Sequence, residues 1–265
     1  ARNAGLARLL ELDPNLAFVQ FVDGDCEVVA GWFDTATTYL EEHPEVVVVC
    51  GRRRERFPEA SLYNQMCDLE WATPIGEALA CGGDALMRVS ALRAVGGYRE
   101  SLIAGEEPEL CVRLRAAGGK IWRLPVEMTL HDAALTRFSQ WWKRAKRGGH
   151  AFQEVSHLHR HSAFGLWKRD TRSNWFWGAF VPLLMLGAAW PTWGLSFLLG
   201  GGYLLLFLKI ARYRRRLGDT PKLARQYAFF CVLAKFPQTL GQLAYWANRL
   251  RGRNSRLIEY KGPSS

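Results

Sequence analysis

Two acidic clusters, far apart in the chain, have the residue types that bind cations and move protons. In Phe18-Val19-Gln20-Phe21-Val22-Asp23-Gly24-Asp25-Cys26 a short apolar run ends in two carboxylates separated by one glycine. The run reads as a buried strand that delivers Asp23 and Asp25 to the rim of an α/β sheet, where such sheets bind ligands. Hard cations such as Mg²⁺ take carboxylate oxygens together with phosphate oxygens, and the glycine allows close backbone approach. An ordinary Asp-Gly turn has the same spacing. The second cluster is Glu106-Glu107-Pro108-Glu109, followed by Leu110, Arg113 and Leu114. Proline favours a first helical turn, which puts Glu107 at the N-cap or just before it, and a carboxylate there can take the proton of an attacking hydroxyl. Acidic residues that only complement a helix dipole are the alternative.

The elements that must position these clusters follow from pattern and punctuation. Residues 1–12 have helical spacing and stop at Asp13-Pro14-Asn15. Trp32–Glu42 reads as an amphipathic helix, and 46–50 as a buried strand of β-branched residues. Arg52-Arg53-Arg54-Glu55-Arg56 then reads as a solvated charged edge that could also steer an anion. Residues 61–72 form a helix with Tyr63, Met66, Cys67 and Trp71 inward. Cys81-Gly82-Gly83-Asp84-Ala85-Leu86-Met87 is a glycine turn entering a strand, and 90–95 a short helix closed by Gly96-Gly97. Gly118-Gly119 ends a further helix before a strand, with His131-Asp132 soon after.

Ala1-Arg2-Asn3-Ala4-Gly5, Asp23-Gly24-Asp25, Cys81 through Arg88, Val95-Gly96-Gly97-Tyr98 and Gly105-Glu106-Glu107-Pro108-Glu109-Leu110 with Arg113-Leu114 stand in a fixed order. Together they resemble the motifs of family 2 glycosyltransferases with the GT-A fold, over roughly residues 1–142. The resemblance implies an α/β chain: an incomplete GT-A (Rossmann-like) mixed sheet with flanking helices, followed by a C-terminal helical membrane-associated region. It is incomplete because, in that family, the βαβ part that reads the nucleotide base precedes the motif matched at Ala1.

The same resemblance implies site roles. Arg2 and Asn3 lie near the diphosphate of a nucleotide-sugar donor, and the Gly82-Gly83 backbone lies against the donor, where a side chain would collide with it. Asp84 contacts a sugar hydroxyl. Asp23 and Asp25 hold Mg²⁺ or Mn²⁺ against the diphosphate, with His131 as third ligand. The family usually has Glu-Asp where this chain has Glu106-Glu107, so the base is Glu107 or Glu106, one methylene longer. Phe138-Ser139-Gln140-Trp141-Trp142-Lys143-Arg144 departs from the Gln-x-x-Arg-Trp of processive synthases, which implies addition of a single sugar. Trp141 or Trp142 then stacks on an acceptor sugar, lies at a membrane surface, or docks an amphipathic helix. The implied activity is inverting, metal-dependent transfer to a hydroxyl of a lipid-linked or saccharide acceptor.

Composition bounds the rest. A chain of 265 residues fits one domain with an appendage, and its formal charge of +10 favours anionic partners. The basic residues crowd beside apolar segments rather than forming a nucleic-acid-binding motif, so lipid is expected and nucleic acid is not. Six scattered cysteines without a Cys-x-x-Cys pair suggest reduced thiols. His150, His157, His159 and His161 lack supporting ligand spacing and read as part of a polar linker helix. Apolar runs at 176–190 and 193–210, joined by Pro191-Thr192, are each near or below the roughly 20 residues a bilayer needs. Lys168, Arg169 and Arg172 precede them and Arg212, Arg214, Arg215 and Arg216 follow, as in a membrane hairpin with both ends cytoplasmic and Trp190 and Trp193 at the far interface. A buried soluble helical pair is the alternative.

Residues 226–250 mix aromatics with cations, which suits a helix in the headgroup region, bent at Pro237, or a third span. The Gly262-Pro263-Ser264-Ser265 tail is expected to be disordered. The division is therefore 1–147 catalytic, 148–174 linker, 175–211 hairpin and 212–261 interfacial helix and tail, at the cell membrane with the catalytic part cytoplasmic. Two other classes account for parts of the pattern: a membrane-anchored scaffold that has lost catalysis, and a basic nucleic-acid-binding protein.

Overall fold

The Phe-Val-Gln-Phe segment at 18–21 and the unbroken apolar run that begins at Val46 form strands of two kinds. The first buries every second residue, and the second is covered on both faces. A computed structural model describes residues 1–252 and separates into two units. The tail expected to be disordered lies outside the described residues.

The first unit comprises Ala1–Phe138 with Leu158–Leu166. Its chain order is α1 (Arg2–Leu12), β1 (Phe18–Phe21), β2 (Cys26–Val28), α2 (Trp32–Glu42), β3 (Val46–Glu55), α3 (Leu62–Trp71), β4 (Gly76–Ala78), β5 (Ala85–Arg88), α4 (Val89–Ala94), α5 (Glu106–Ala116) and β6 (Lys120–His131). The sheet runs β1-β5-β3-β6-β2, with β4 also on β6. β3 and β6 are parallel and the other pairs antiparallel, giving the mixed sheet with flanking helices expected. Leu40, Met87, Leu92, Leu110, Leu114 and Ile121 are fully enclosed in its core. Each such side chain contributes about 1.5–3 kcal/mol when taken out of water.

The strand read as 46–50 continues to Glu55, so Arg52, Arg53 and Arg54 are ladder residues rather than a solvated edge. Opposite Gly51 the register jumps: Cys50 pairs with Arg123 but Arg52 with Glu127, leaving 124–126 of β6 out of the ladder. A bulge of this kind changes which side chains face each other. Its outcome is that Arg53 lies beside Thr129, and Glu55 beside His131.

The second unit comprises Ser139–His157 and the described part of Trp167–Gly262. It is helical: α6 (Phe138–Leu158), α7 (Lys168–Trp175), α8 (Val181–Gly187), α9 (Gly201–Arg216), α10 (Pro221–Leu233) and α11 (Lys235–Leu250). α6 runs without a break through residue 147, where a boundary was expected. Gly149 and Gly241 let α6 and α11 touch, because a Cβ at either would strike the other helix's backbone. The expected interfacial helix is thus two helices, and α11 buries Thr239, Gln242 and Tyr245 within this unit. Of the two apolar runs, only the second lies in a helical stretch, Leu195–Arg216, long and apolar enough to cross a membrane. Trp190 and Trp193 are 93% and 96% exposed.

Candidate active site

Strand register builds the site. Phe21 of β1 pairs with Ala85 of β5, so Asp23, two residues beyond one strand, meets Asp84, immediately before the other. The Asp23 N–H donates to Asp84 Oδ1 at 2.9 Å. Asp84 Oδ2 accepts from the Thr129 hydroxyl at 2.7 Å and pairs with Arg53 Nη2 at 2.9 Å. Asp84 is completely buried. The sugar-hydroxyl role expected of it is therefore filled from inside: it orients Arg53 and the Asp23 backbone.

Arg53 Nη2 also donates to Asp23 Oδ2 at 3.2 Å, and its guanidinium lies 5.6 Å from the Trp71 ring centroid. Its burial would lower its basicity, but the carboxylates outweigh that and its pKa rises. Arg53 is the principal site residue that the sequence reading placed elsewhere. The available signal was that only Gly51 separates the apolar run from the arginines, with no turn pair to end the strand.

The Asp23 Oδ1 atom takes Arg2, whose Nη2 lies 2.6 Å away. The same guanidinium donates from Nη1 to Glu106 Oε1 at 3.3 Å and forms an ion pair with Glu107 Oε1. Arg2 thus draws both acidic clusters together. Gly105, in the left-handed region at φ 81°, caps α5, so Glu106 and Glu107 are its first two residues and Pro108 the third. This shifts Glu107 inside the helix relative to expectation. Proline is accommodated because none of the first four N–H groups has an intrahelical acceptor.

Burial pushes the Glu107 carboxyl up to about 7, the charge of Glu106 adds to the rise, and Arg2 opposes it. Two residues on, the fully buried Glu109 anchors the helix. It accepts from Arg113 Nη2 at 2.7 Å, from Arg99 Nε at 3.1 Å, and pairs with His159 Nε2 at 3.0 Å. Its burial raises the pKa, but these partners dominate and hold it below the usual value.

Three further expectations shift. Asn3 is turned to other partners than the two acidic clusters: Nδ2 donates to the Tyr98 carbonyl at 2.8 Å and to Glu100 Oε1 at 3.1 Å, and Oδ1 accepts from the Tyr98 N–H at 2.9 Å, clamping the turn at Gly97. A side chain at Gly83 would collide with the Asp23 carboxylate and with Arg53 Nη2, so the protein's own charges demand glycine there, whereas at Gly82 only Arg53 comes near, at 3.9 Å. Trp141 is buried, edge-on to Phe230 at 4.9 Å in the helical unit, which removes it as a stacking surface; Trp142 is half-buried beside it.

The three residues expected to hold a cation fall into two groups. Asp25 Oδ1 lies 3.4 Å from His131 Nε2, with Cys26 completing a set of ligand atoms within 4.8 Å of one another. Asp23 belongs with Asp84 and Cys26 instead, and both of its oxygens are engaged by arginines. Asp25 and His131 meet because Cys26 pairs with His131 across β2 and β6. Burial, above all, pushes the Cys26 thiol far up. Of the histidines read as a linker, His150 faces Glu154 at 3.4 Å and His157 packs on Tyr245 and Trp246.

No known family profile matches the chain. Over 163 residues it is 28% identical to a pre-mycofactocin glycosyltransferase of Mycobacterium tuberculosis, covering 57% of this chain and 33% of that protein. Over 48 residues it is 48% identical to the succinoglycan biosynthesis protein ExoA of Rhizobium meliloti, covering 18% of this chain and 14% of that protein. The chain therefore spans no more than about a third of the length of these curated relatives. Among solved structures, S. aureus TarS 1-349 in complex with UDP-GlcNAc aligns over 100% of this chain and 77% of that chain, at 14% identity and a TM-score of 0.39.

Proposed function

We propose, on the premise that this chain is a GT-A-like glycosyltransferase of family 2, that it moves one sugar from a nucleotide-diphosphate sugar to an acceptor hydroxyl with inversion at the anomeric carbon. The observation that carries the reading is the meeting of Asp23, Glu106 and Glu107 at the Arg2 guanidinium, across 104 residues in the case of Arg2 and Glu106. A sugar-phosphate pocket needs a cationic group for the diphosphate and a base for the acceptor within one cluster.

Glu107 is the base. With a pKa of about 7 it is ionised in a large fraction of molecules at neutral pH yet still basic enough to take a hydroxyl proton. The acceptor oxygen bonds to the anomeric carbon as the bond from that carbon to the diphosphate oxygen breaks. The electron pair leaves on the nucleoside diphosphate, the proton passes to a Glu107 carboxylate oxygen, and single displacement inverts the centre. Arg2 offers its positive charge to the diphosphate, and Arg53 holds Asp23 in place.

The donor set at Asp25 and His131, a carboxylate oxygen 3.4 Å from an imidazole nitrogen, fits a divalent cation. A divalent cation such as Mg²⁺ or Mn²⁺ bound there would supply positive charge to the leaving diphosphate. A saccharide acceptor is supported by the succinoglycan biosynthesis named for one relative, and a lipid-linked one by the exposed apolar stretch Leu195–Arg216. Action at a cytoplasmic membrane face is supported by the exposed apolar stretch Leu195–Arg216 with the cations that end it.

The test is Glu107→Gln, assayed with a panel of nucleotide sugars and a lipid extract as acceptor. Transfer should fall by about 10²–10⁴-fold while donor affinity, measured by calorimetry, stays nearly unchanged. Undiminished turnover would overturn the assignment.

A further inference from the structure

We infer that residues 176–200 form a re-entrant wedge that enters one lipid leaflet and returns, so that neither apolar arm crosses a bilayer. This deepens the membrane-face reading above and rests on it.

Neither arm is long enough to cross. No charged residue occurs between Arg172 and Lys209. At the helical rise the first arm, Trp175 to Trp190, is about 22 Å long. The second, Leu195 to Leu208, is about 23 Å with its opening 3₁₀ turn at Leu195–Gly200. The hydrocarbon core of a bilayer is about 30 Å thick. The stretch Leu195–Arg216 reaches that length only by including Lys209, Arg212, Arg214, Arg215 and Arg216. The far interface expected for Trp190 and Trp193 is therefore out of reach.

Packing leaves only the tip bare. At the base, Lys235 Nζ of α11 donates to Asn174 Oδ1 at 2.9 Å, and the Thr239 hydroxyl donates to the Asn174 carbonyl at 2.8 Å. A Cβ at Gly178 would strike the same two residues of α11. The arms join where the Tyr203 hydroxyl donates to the Trp177 carbonyl, and Tyr203 stacks on Phe236 of α11 at 6.0 Å. Beyond the buried Val181, the side chains of Leu183, Leu186, Trp190, Trp193, Phe197 and Leu198 are exposed. Val181 to Trp190 rises about 14 Å, and the hydrocarbon of one leaflet is about 15 Å deep.

The bend is built for a place without water. Hydrocarbon offers no hydrogen bonds, so backbone placed in it must satisfy itself. The N–H groups of Ala188, Thr192, Trp193, Gly194 and Leu195 all donate to carbonyls within 184–192, and Pro191 has no N–H to place. The Thr192 and Ser196 hydroxyls donate to the carbonyls of Ala188 and Met185. Charge names the partner. Arg169 and Arg172 at the foot of one arm, and Lys209 and Arg212 at the foot of the other, are exposed, which matches anionic headgroups beside the hydrocarbon.

The experiment puts a thiol at the tip, Trp190→Cys, where the native side chain is almost wholly exposed. The whole protein is bound to vesicles of phosphatidylcholine and phosphatidylglycerol, with the unsubstituted protein correcting for its own thiols. A membrane-impermeant maleimide should label the tip neither from outside nor from the vesicle lumen, and should label it fully after SDS is added. A fluorophore attached at the same thiol should be quenched by lipids spin-labelled deep in the acyl chain. Labelling from the lumen would mean a spanning hairpin, and labelling from outside a tip left in water. Protection without acyl-chain quenching would mean a face covered by a second copy. Each of these overturns the wedge alone. Protein that binds no vesicles defeats the membrane-face reading with it, whereas a protected, quenched tip on a protein that transfers no sugar keeps the wedge and defeats the transfer reading.

Discussion

Arg2 and Asp23 are joined by a 2.6 Å contact between Nη2 and Oδ1, and that contact makes one site of two acidic clusters. The other guanidinium nitrogen is committed to Glu106 and Glu107 on α5. An arginine with two faces of donors is suited to this bridging, as a lysine with one charged atom is not.

The base role proposed for Glu107 predicts a pH dependence of transfer. Activity should rise with pH through an inflection near 7, because the base works only when ionised. Stability runs the opposite way. A carboxyl raised from 4.5 to about 7 in the folded state contributes stability that is complete below 4.5 and is lost as pH rises through about 7. Arg2→Ala removes a group that lowers this pKa, so the inflection should move upward; a profile that does not move would separate Arg2 from the base. Initial rates across pH, in parallel with thermal denaturation, read both.

Arg53 and Asp84 should behave as a buried pair. Asp84 is completely enclosed, and Arg53 has few other carboxylates to turn to. Breaking such a pair from one side costs about 3–5 kcal/mol. Asp84→Asn and Arg53→Met should each destabilise strongly, and the double variant should cost clearly less than their sum in chemical denaturation. Additive losses would show the two residues to be uncoupled.

Gly82 and Gly83 should differ although they are neighbours. A methyl at Gly83 runs into the Asp23 carboxylate, and one at Gly82 only approaches Arg53. Gly83→Ala should cost about 1–3 kcal/mol and, by displacing Asp23, reduce donor affinity. Gly82→Ala should be near neutral. Equal effects would mean that the restriction comes from the ligand after all.

Acid sensitivity should centre on Glu109. Its lowered pKa contributes stability present above 4.5 and lost as pH falls through the depressed value. Glu109→Gln should flatten the acid limb of a melting-temperature profile and leave Arg99, Arg113 and His159 without their shared carboxylate. An unchanged acid limb would assign it to other groups.

Membrane affinity should depend on the exposed tryptophans. Trp190→Ser with Trp193→Ser should reduce co-sedimentation with vesicles containing anionic lipid by about tenfold or more, and high salt should weaken what binding remains. Binding indifferent to both changes would remove this surface as the contact.

Much of this fold was legible in the chain. Trp32–Glu42 is a helix with the bounds its pattern predicts, since Trp32, Ala36 and Leu40 repeat at the helical period and are the buried face. The two acidic clusters were legible as well, because a carboxylate beside a glycine turn or at a helix start is a local event. Asp84 and Asn3 stand out in the sequence by their motifs, but their part as internal braces was not legible there, because their partners lie 61 and 95 residues away.

Amino-acid order by itself determined which segments become helix or strand and where charge gathers, since those depend on neighbours one to four positions apart. Tertiary structure alone decided the partners. The jump in register between β3 and β6 sets Arg53 beside Thr129, and the pairing of Cys26 with His131 brings the Asp25 carboxylate to the His131 imidazole. No local pattern encodes a register between residues as far apart as Arg53 and Thr129 or Cys26 and His131; it is fixed only when both faces of the sheet are packed at once.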